Sequence, residues 1–245
     1  MRGLARSKKI FVVILLFILA FSWLSLYLSS FYQRRKAEHL IAELRTFPFA
    51  TAGFAEVRDF VLRHGGMAKP EPSQAPPFGC TAQGCMFQIW LGRPFSQPPT
   101  NQQVWQSLYP TLPYVGLRPW NVYVQLEVRN GVLMRSTTIV GQLRRGDMGT
   151  FGLLTIEYSI HTERSSTPYS RSGDRTDDYL VLTPHVTGPP TKALSSWVVQ
   201  SSDAPMNRVF DVDLRCLTTI FRGCSDPSAL APSAWQHYRA RLETP

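Results

Sequence analysis

The chain has 245 residues and a formal net charge of +9, and 44% of its residues are hydrophobic. Residues 1–36 carry seven basic and no acidic side chains, which leaves a net charge of only +2 for the rest of the chain. The positive charge therefore flanks an apolar segment, where anionic lipid headgroups are its natural partner. No basic and aromatic patch follows, so we expect no nucleic-acid partner.

Residues 10–32 form an apolar run of 23 residues without a charged side chain. Because a helix needs about 20 apolar residues to cross a bilayer core of ~30 Å, this run predicts a transmembrane helix. A signal peptide cut after Ser22 is the alternative, since Ala20 and Ser22 would occupy the small-residue positions. The apolar run continues beyond this point through Trp23 and Tyr27, which favours an uncleaved anchor.

The sequence predicts five consecutive segments. They are a cytoplasmic stub (1–9), a transmembrane helix (10–32), a juxtamembrane helical segment (33–66), a proline-rich linker (67–79) and an extracytoplasmic β-rich domain (80–245). The flanking charges barely decide the orientation, because four basic side chains precede the apolar run and three follow it. An even number of cysteines in the C-terminal part is typical of an oxidising compartment. We therefore expect a single-pass protein of the cell membrane.

The juxtamembrane segment predicts two helices. Residues 36–46 continue the membrane helix, and His39 is expected to be an exposed or capping histidine rather than a ligand. The apolar stripe of this part consists of Leu40, Ile41 and Leu44. A second helix is predicted to start at Thr51 as N-cap and to end at Gly65 and Gly66. A small helix that ends in two glycines before a set of strands resembles the helix-plus-sheet modules of bacterial envelope assembly proteins of the BamE type.

The clearest element of the remaining chain is a hairpin over residues 120–140. Asn130 and Gly131 lie between two alternating runs, which is a strong signal for a two-residue turn. This turn would pair Arg129 with Val132. The predicted inner face of the hairpin consists of Val122, Val124, Leu126, Val128, Leu133, Thr137 and Ile139.

Alternation of apolar side chains predicts further strands on both sides of the hairpin. These strands cover residues 85–91, 154–161, 179–186, 196–200 and 210–216. Short helices are expected over residues 101–109 and 233–242, and loops over 144–150 and 163–177. The expected fold class is α+β: an N-terminal transmembrane helix, then a mainly antiparallel β-sheet domain with a few short helices.

Cys80, Cys85, Cys216 and Cys224 are predicted to form structural disulfides. Four cysteines allow three pairings, and the local one, 80 with 85 and 216 with 224, is favoured because each pair is close in sequence. Pairing across the domain remains open and would constrain the unfolded chain more. A zinc site is disfavoured, because the usual C-x2-C spacing is missing.

Both cysteine regions carry a resemblance to known sequences. The stretch from Cys216 to Tyr238, together with the strand after Cys85, resembles uncharacterised single-pass bacterial membrane proteins with a C-terminal two-cysteine signature. The resemblance implies a membrane location and brings no activity with it.

Two groups of polar residues are candidates for chemistry. Asp211 and Asp213 would share one face of the strand over 210–216, where a D-x-D pair can hold a divalent metal. His161 and Glu163, with His185 on another strand, could meet across the sheet as an acid–base or metal site. Solvent-facing side chains are the simpler interpretation of both groups, so we assign no catalytic, cofactor-binding or metal-ligating residue and expect no cofactor.

The sequence therefore predicts a membrane-anchored, non-catalytic interaction or scaffolding module, whose partners are the membrane and another envelope protein. A hydrolase-like envelope enzyme and a small-ligand or lipid-binding module are the alternatives. The serine-nucleophile, zinc-protease, Walker and dinucleotide motifs are all missing, which lowers the expectation of an enzyme.

Overall fold

The structure is a computed structural model. It describes residues 2–69, 80–93, 120–143, 154–163, 178–184, 193–200, 206–220, 223–224, 227–234 and 236. Its first element is a helix of 43 residues, α1 (Arg2–Leu44), which begins before the apolar run and ends after the juxtamembrane stripe. Residues 10–22 are exposed throughout, whereas Ala37, Leu40 and Leu44 are fully buried. One continuous helix therefore has an exposed apolar half and a half that belongs to the core.

The second helix, α2 (Phe54–Arg63), packs its apolar face into the same core. Its N-cap is Gly53, two residues later than the predicted Thr51, because the Glu56 carboxylate accepts a hydrogen bond from the Gly53 backbone N–H at 2.9 Å. Val57, Phe60 and Val61 are buried.

Seven strands form one sheet that lies against these helices. They are β1 (Met67–Lys69), β2 (Gly84–Arg93), β3 (Trp120–Arg129), β4 (Val132–Leu143), β5 (Leu154–Glu163), β6 (Asp178–Pro184) and β7 (Ala193–Gln200). Their order across the sheet is β1-β2-β3-β4-β5-β7-β6, and every neighbouring pair is antiparallel except β5 and β7. The expected fold class, α+β with a mainly antiparallel sheet, is confirmed.

The predicted pairing of β3 and β4 is confirmed at the turn, but the predicted inner face of β4 is wrong beyond it. Arg129 pairs with Val132 and Val128 with Leu133, but a β-bulge next to this pair then adds one residue to β4. A one-residue shift exchanges the two faces of a strand. The predicted inner residues Thr137 and Ile139 are therefore only half-buried on the opposite face. The buried positions of β4 beyond the bulge are Ser136, Thr138, Val140 and Gln142.

Two buried polar side chains of β4, those of Ser136 and Gln142, have hydrogen-bond partners inside the domain. The hydroxyls of Ser136 and Thr162 lie 2.6 Å apart on neighbouring strands. Gln142 accepts a hydrogen bond from the Cys224 backbone N–H at 2.9 Å and donates to the Leu217 carbonyl at 3.4 Å. One amide thus fixes two points of the C-terminal segment to the sheet.

The strand predicted over residues 210–216 is wrong. The chain instead forms a one-turn helix (Met206–Val209), an irregular link and a 3-10 helix (Leu214–Thr218). The Asp213 carboxylate accepts a hydrogen bond from the Arg215 backbone N–H at 2.9 Å and caps the 3-10 helix. This local capping competes with a strand, and it is a common role of aspartate before a helical turn.

Other sequence predictions meet the structure only in part. The extended linker expected over 67–79 begins with the edge strand β1, and residues 70–79 lie outside the described residues. A one-turn helix (Pro227–Leu230) precedes a helical turn at residues 232–234, where the terminal helix is expected to begin. The short helix over 101–109, the loop over 144–150 and most of the loop over 163–177 also lie outside the described residues.

Candidate functional site

A group of three ionisable side chains joins α1 to the end of α2. His39 and Glu43 are one helical turn apart on α1, and His64 is the C-cap residue of α2. His39 Nδ1 lies 3.0 Å from Glu43 Oε1, and His64 Nε2 lies 3.3 Å from Glu43 Oε2. The two imidazole rings have their centroids 5.8 Å apart. The carboxylate therefore lies between two imidazoles that come from different elements.

The end of α2 fixes the position of His64. Gly65 adopts a left-handed conformation with a φ of +69°, and the Gly66 N–H donates to the Val61 carbonyl at 2.9 Å, which closes the helix. A Cβ on Gly66 would lie 2.6 Å from the Gln88 carbonyl oxygen, so this residue must be glycine for the chain to pass β2. The turn leaves His64 against the buried Phe60 ring, with centroids 4.8 Å apart.

The three side chains differ strongly in exposure. The side chain of His64 is 9% exposed, that of Glu43 is 33% exposed and that of His39 is 72% exposed. His64 Nε2 is inaccessible to solvent and lacks a well-aligned hydrogen bond, although it lies at ion-pair distance from Glu43. Because its position is fixed beside the carboxylate, this imidazole nitrogen is suited to ligate a metal ion.

The pKa values of the group follow from burial and charge. Burial lowers the pKa of His64, and the nearby Glu43 carboxylate offsets only part of this effect. Burial alone would raise the pKa of Glu43, but the contacts with His64 and Arg63 outweigh it and lower the pKa below its usual value. At neutral pH, His64 is therefore neutral and Glu43 is ionised.

The group lines a surface cleft of about 530 Å³. The cleft is lined by Lys36, His39, Glu43, Leu62, Arg63, His64, Gly65 and Leu91. Arg63 Nη2 lies 3.4 Å from Glu43 Oε2, so a guanidinium also contacts the carboxylate from the solvent side. Two imidazoles and one carboxylate are a donor set that suits zinc and similar divalent metals.

The residues that the sequence suggested for chemistry are not assembled in this way. Asp211 accepts a hydrogen bond from the Ser233 hydroxyl at 2.6 Å and lies 3.7 Å from Arg45, whereas Asp213 pairs with Arg215. The D-x-D pair on a strand is therefore wrong, since Asp211 has partners from distant parts of the chain and Asp213 pairs with its neighbour Arg215.

The candidate group across the sheet, His161 and Glu163 with His185, to which the sequence assigns no role, has no described side-chain geometry. The backbone of His161 and Glu163 belongs to β5, opposite Thr137 and Arg135, while His185 lies outside the described residues. That group stays a sequence expectation.

The four cysteines lie in two local pairs at disulfide distance. Cys80 and Cys85 have their Cα atoms 4.9 Å apart, and Cys216 and Cys224 have theirs 4.7 Å apart. The first loop closes over the hairpin turn, because the Gly131 N–H donates to the Ala82 carbonyl at 2.6 Å.

The second cysteine loop contacts both the sheet and α1. Its Thr218 hydroxyl accepts a hydrogen bond from Arg34 at 2.7 Å, and Gln142 of β4 reaches the loop from the other side. The two cysteine pairs thus lie at the hairpin turn and beside α1, where they reinforce the structure locally.

No known protein family, curated protein or solved structure matches the chain. The two resemblances drawn from the sequence therefore stay expectations. Any function proposed for the chain rests on its own residues and geometry.

The sequence did not predict the group of His39, Glu43 and His64. His39 and Glu43 have the i, i+4 spacing that places two ligands on one helix face, and this signal was available. His64 follows 21 residues after Glu43, at the C-cap of α2. It comes into reach because α1 and α2 both pack on β2.

Proposed function

We propose that the chain is a single-pass membrane protein whose extracytoplasmic domain is a non-catalytic interaction or scaffolding module, fixed rigidly to its own anchor. The observation that carries the proposal is the continuity of α1. The same helix that exposes thirteen consecutive residues from Ile10 onward buries Ala37, Leu40, Ile41 and Leu44 in the domain core.

The length of the part of α1 that lies outside the core supports the anchor. Ser30 is the first residue of the apolar run that is buried, at 2% exposure, and it accepts a hydrogen bond from the Trp120 indole at 3.0 Å. Residues 10–29 remain for the membrane. Twenty residues at a rise of about 1.5 Å span roughly 30 Å, which is the thickness of a bilayer core. This assignment ends the span three residues earlier than the sequence alone suggests.

The joint between the helix and the domain is extensive. Arg34 donates to Thr218, and Arg45 donates to the Phe210 carbonyl at 3.0 Å, so contacts continue along the last four turns of α1. Among the described elements, α1 packs mainly on β2 and on the 3-10 helix. A rigid joint of this kind holds a domain at a fixed height above the membrane. A scaffold needs such a fixed position, which a flexible linker would not provide.

The sheet face opposite the helices supports an interaction role. The rings of Trp90 and Tyr123 lie 4.4 Å apart on this face, and the Tyr123 hydroxyl accepts a hydrogen bond from Gln88 at 3.0 Å. Aromatic side chains held in place by amides are typical of protein interfaces. The proposed partner of this face is another envelope protein.

Thiol labelling in intact cells tests the anchor and its orientation. A cysteine introduced as Ala42→Cys is on an exposed position of α1 and should react with a membrane-impermeant maleimide from outside. The matched variant Ser7→Cys should react only after permeabilisation, and mass spectrometry should find residues 1–22 retained. The reverse labelling pattern, or a new N-terminus after Ser22, would contradict the proposal.

Site-specific photocrosslinking tests the interaction role. A photoreactive phenylalanine at Trp90 should give a discrete crosslinked product in intact membranes. The same probe at Arg58, an exposed position of α2, serves as the control. Equal crosslinking at both positions, or none at either, would refute the proposed interface.

A further inference from the structure

We propose that His39, Glu43 and His64 bind a divalent transition-metal ion of the zinc type, which clamps α2 to α1. The inference goes beyond the proposed function and does not depend on it, because the three side chains belong to the folded domain. Among the residues that the structure describes, this is the group of three ligating side chains whose donor atoms approach one another within 4.8 Å.

The donor atoms nearly have the spacing that a metal requires. Zinc bonds of about 2.0–2.2 Å at tetrahedral angles place neighbouring donor atoms roughly 3.4 Å apart. Glu43 Oε1 lies 3.0 Å from His39 Nδ1, and Glu43 Oε2 lies 3.3 Å from His64 Nε2. Each carboxylate oxygen thus lies near one imidazole nitrogen, and the two nitrogens must approach each other and a shared ion from within 4.8 Å. His39 can supply this movement by a side-chain rotation, because it is 72% exposed.

His64 is the observation that separates a metal site from a surface ion-pair cluster. A buried imidazole nitrogen is costly unless it has a partner, and His64 Nε2 is shielded from water without a well-aligned hydrogen bond. A metal bound between Nε2 and the carboxylate would satisfy this nitrogen. Its ring is already held by Phe60 and by the turn at Gly65, so little further ordering is required.

The surroundings of the group determine what the ion would do. Three protein ligands leave a fourth position directed into the cleft, which water or a side chain of a partner can occupy. Arg63 contacts the same carboxylate and competes with a cation, but it is 62% exposed and can move into solvent. Imidazole ligands select against magnesium and calcium, which prefer oxygen.

Metal titration of the full chain tests the proposal. The chain is purified in detergent with an affinity tag that contains no histidine, without reductant, so that the cysteines stay paired. Titration calorimetry with Zn²⁺ should show one ion per chain, and Mg²⁺ should show none. Co²⁺ should give the intense visible absorption of a four-coordinate site, which a change in protein stability would not produce.

Matched variants assign the ion to these residues. His39→Ala and Glu43→Gln should each weaken Zn²⁺ binding by more than about tenfold, since even outer-shell changes cost that much. Glu38→Gln, the same change five residues earlier on α1, should bind as the wild type does. Arg63→Gln should bind more tightly, because it removes the competing cation. His39 is exposed, so its variant should keep the fold.

Two results would overturn the proposal. The first is that the wild type takes up no Zn²⁺ at a stoichiometry of one. The second is that Glu43→Gln and Glu38→Gln bind Zn²⁺ equally well. Either result would leave an ion-pair cluster, and Arg63→Gln would then only lower the thermal stability.

Discussion

Replacement of Ser30 by alanine tests whether the domain begins within the apolar run. The Ser30 hydroxyl accepts the indole N–H of Trp120, and both side chains are 2% exposed. Alanine would leave this N–H buried without an acceptor, which costs about 1–3 kcal/mol of unfolding free energy. For a domain of this size, a loss of 2 kcal/mol lowers the melting temperature by roughly 4–8 °C.

The assay is thermal unfolding of the detergent-solubilised chain, followed by near-ultraviolet circular dichroism. Ser29→Ala is the control, because it is the same change at an exposed neighbouring position. Trp120→Phe, alone and combined with Ser30→Ala, completes a double-mutant cycle whose coupling energy should be about 1 kcal/mol. Equal melting temperatures for Ser30→Ala and Ser29→Ala would refute the reasoning and return Ser30 to the lipid-facing part of the helix.

Three further predictions concern the interior of the domain. Gly66→Ala should lower the unfolding free energy in chemical denaturation by more than about 3 kcal/mol, because the new Cβ would lie 2.6 Å from a backbone oxygen. Gly65→Ala has open space but a φ of +69°, and should cost about 1–2 kcal/mol. Similar losses for the two variants would contradict this prediction. Gln142→Leu leaves two buried backbone groups without partners and should cost about 2–5 kcal/mol, and a wild-type denaturation midpoint would exclude the bridge. Burial raises the pKa of Tyr158 in the folded protein, so its contribution to stability is present below pH ~10 and is lost as the pH rises above it. Tyr158→Phe should flatten this alkaline fall in melting temperature. Parallel curves of melting temperature against pH for the variant and the wild type would refute the prediction.

Local signals in the sequence predict the elements whose structure depends on neighbouring residues. Asn130 and Gly131 specify the hairpin turn because both adopt positive φ angles, of 50° and 81°. The stripe of Leu40 and Leu44 predicts the buried face of α1 because a helix repeats every 3.6 residues. These features need no knowledge of distant parts of the chain.

The wrong predictions from the sequence arise where distant contacts or single residues determine the local structure. No glycine or proline lies at the bulge itself, between Leu133 and Arg135 of β4. One extra residue was enough to exchange Thr137 with Ser136 and Thr138 on the core side. At Asp213, alternation of apolar residues suggests a strand, but a capping hydrogen bond to Arg215 produces a 3-10 helix. Periodicity over seven residues does not distinguish these outcomes.

The candidate site was missed for the same reason. His39 and Glu43 have the spacing of helical ligands, but such a pair becomes a three-ligand group only with a residue from elsewhere. His64 supplies it because Gly66 lets the chain turn closely past β2. Asp211 and Asp213, which the sequence offered only as a candidate pair without assigning them a role, have separate partners instead.

The continuity of α1 couples the orientation of the domain to that of the proposed membrane anchor. A transmembrane helix that exceeds the local thickness of the bilayer tilts to keep its apolar residues in the hydrocarbon. Leu44 lies fourteen residues beyond Ser30, or about 21 Å along the axis, so a 10° tilt would move it sideways by about 4 Å. In the proposed membrane setting, a change in bilayer thickness would therefore change the tilt of α1 and move the whole sheet sideways. The position of any partner bound to the outer face of the sheet would then depend on the thickness of the membrane.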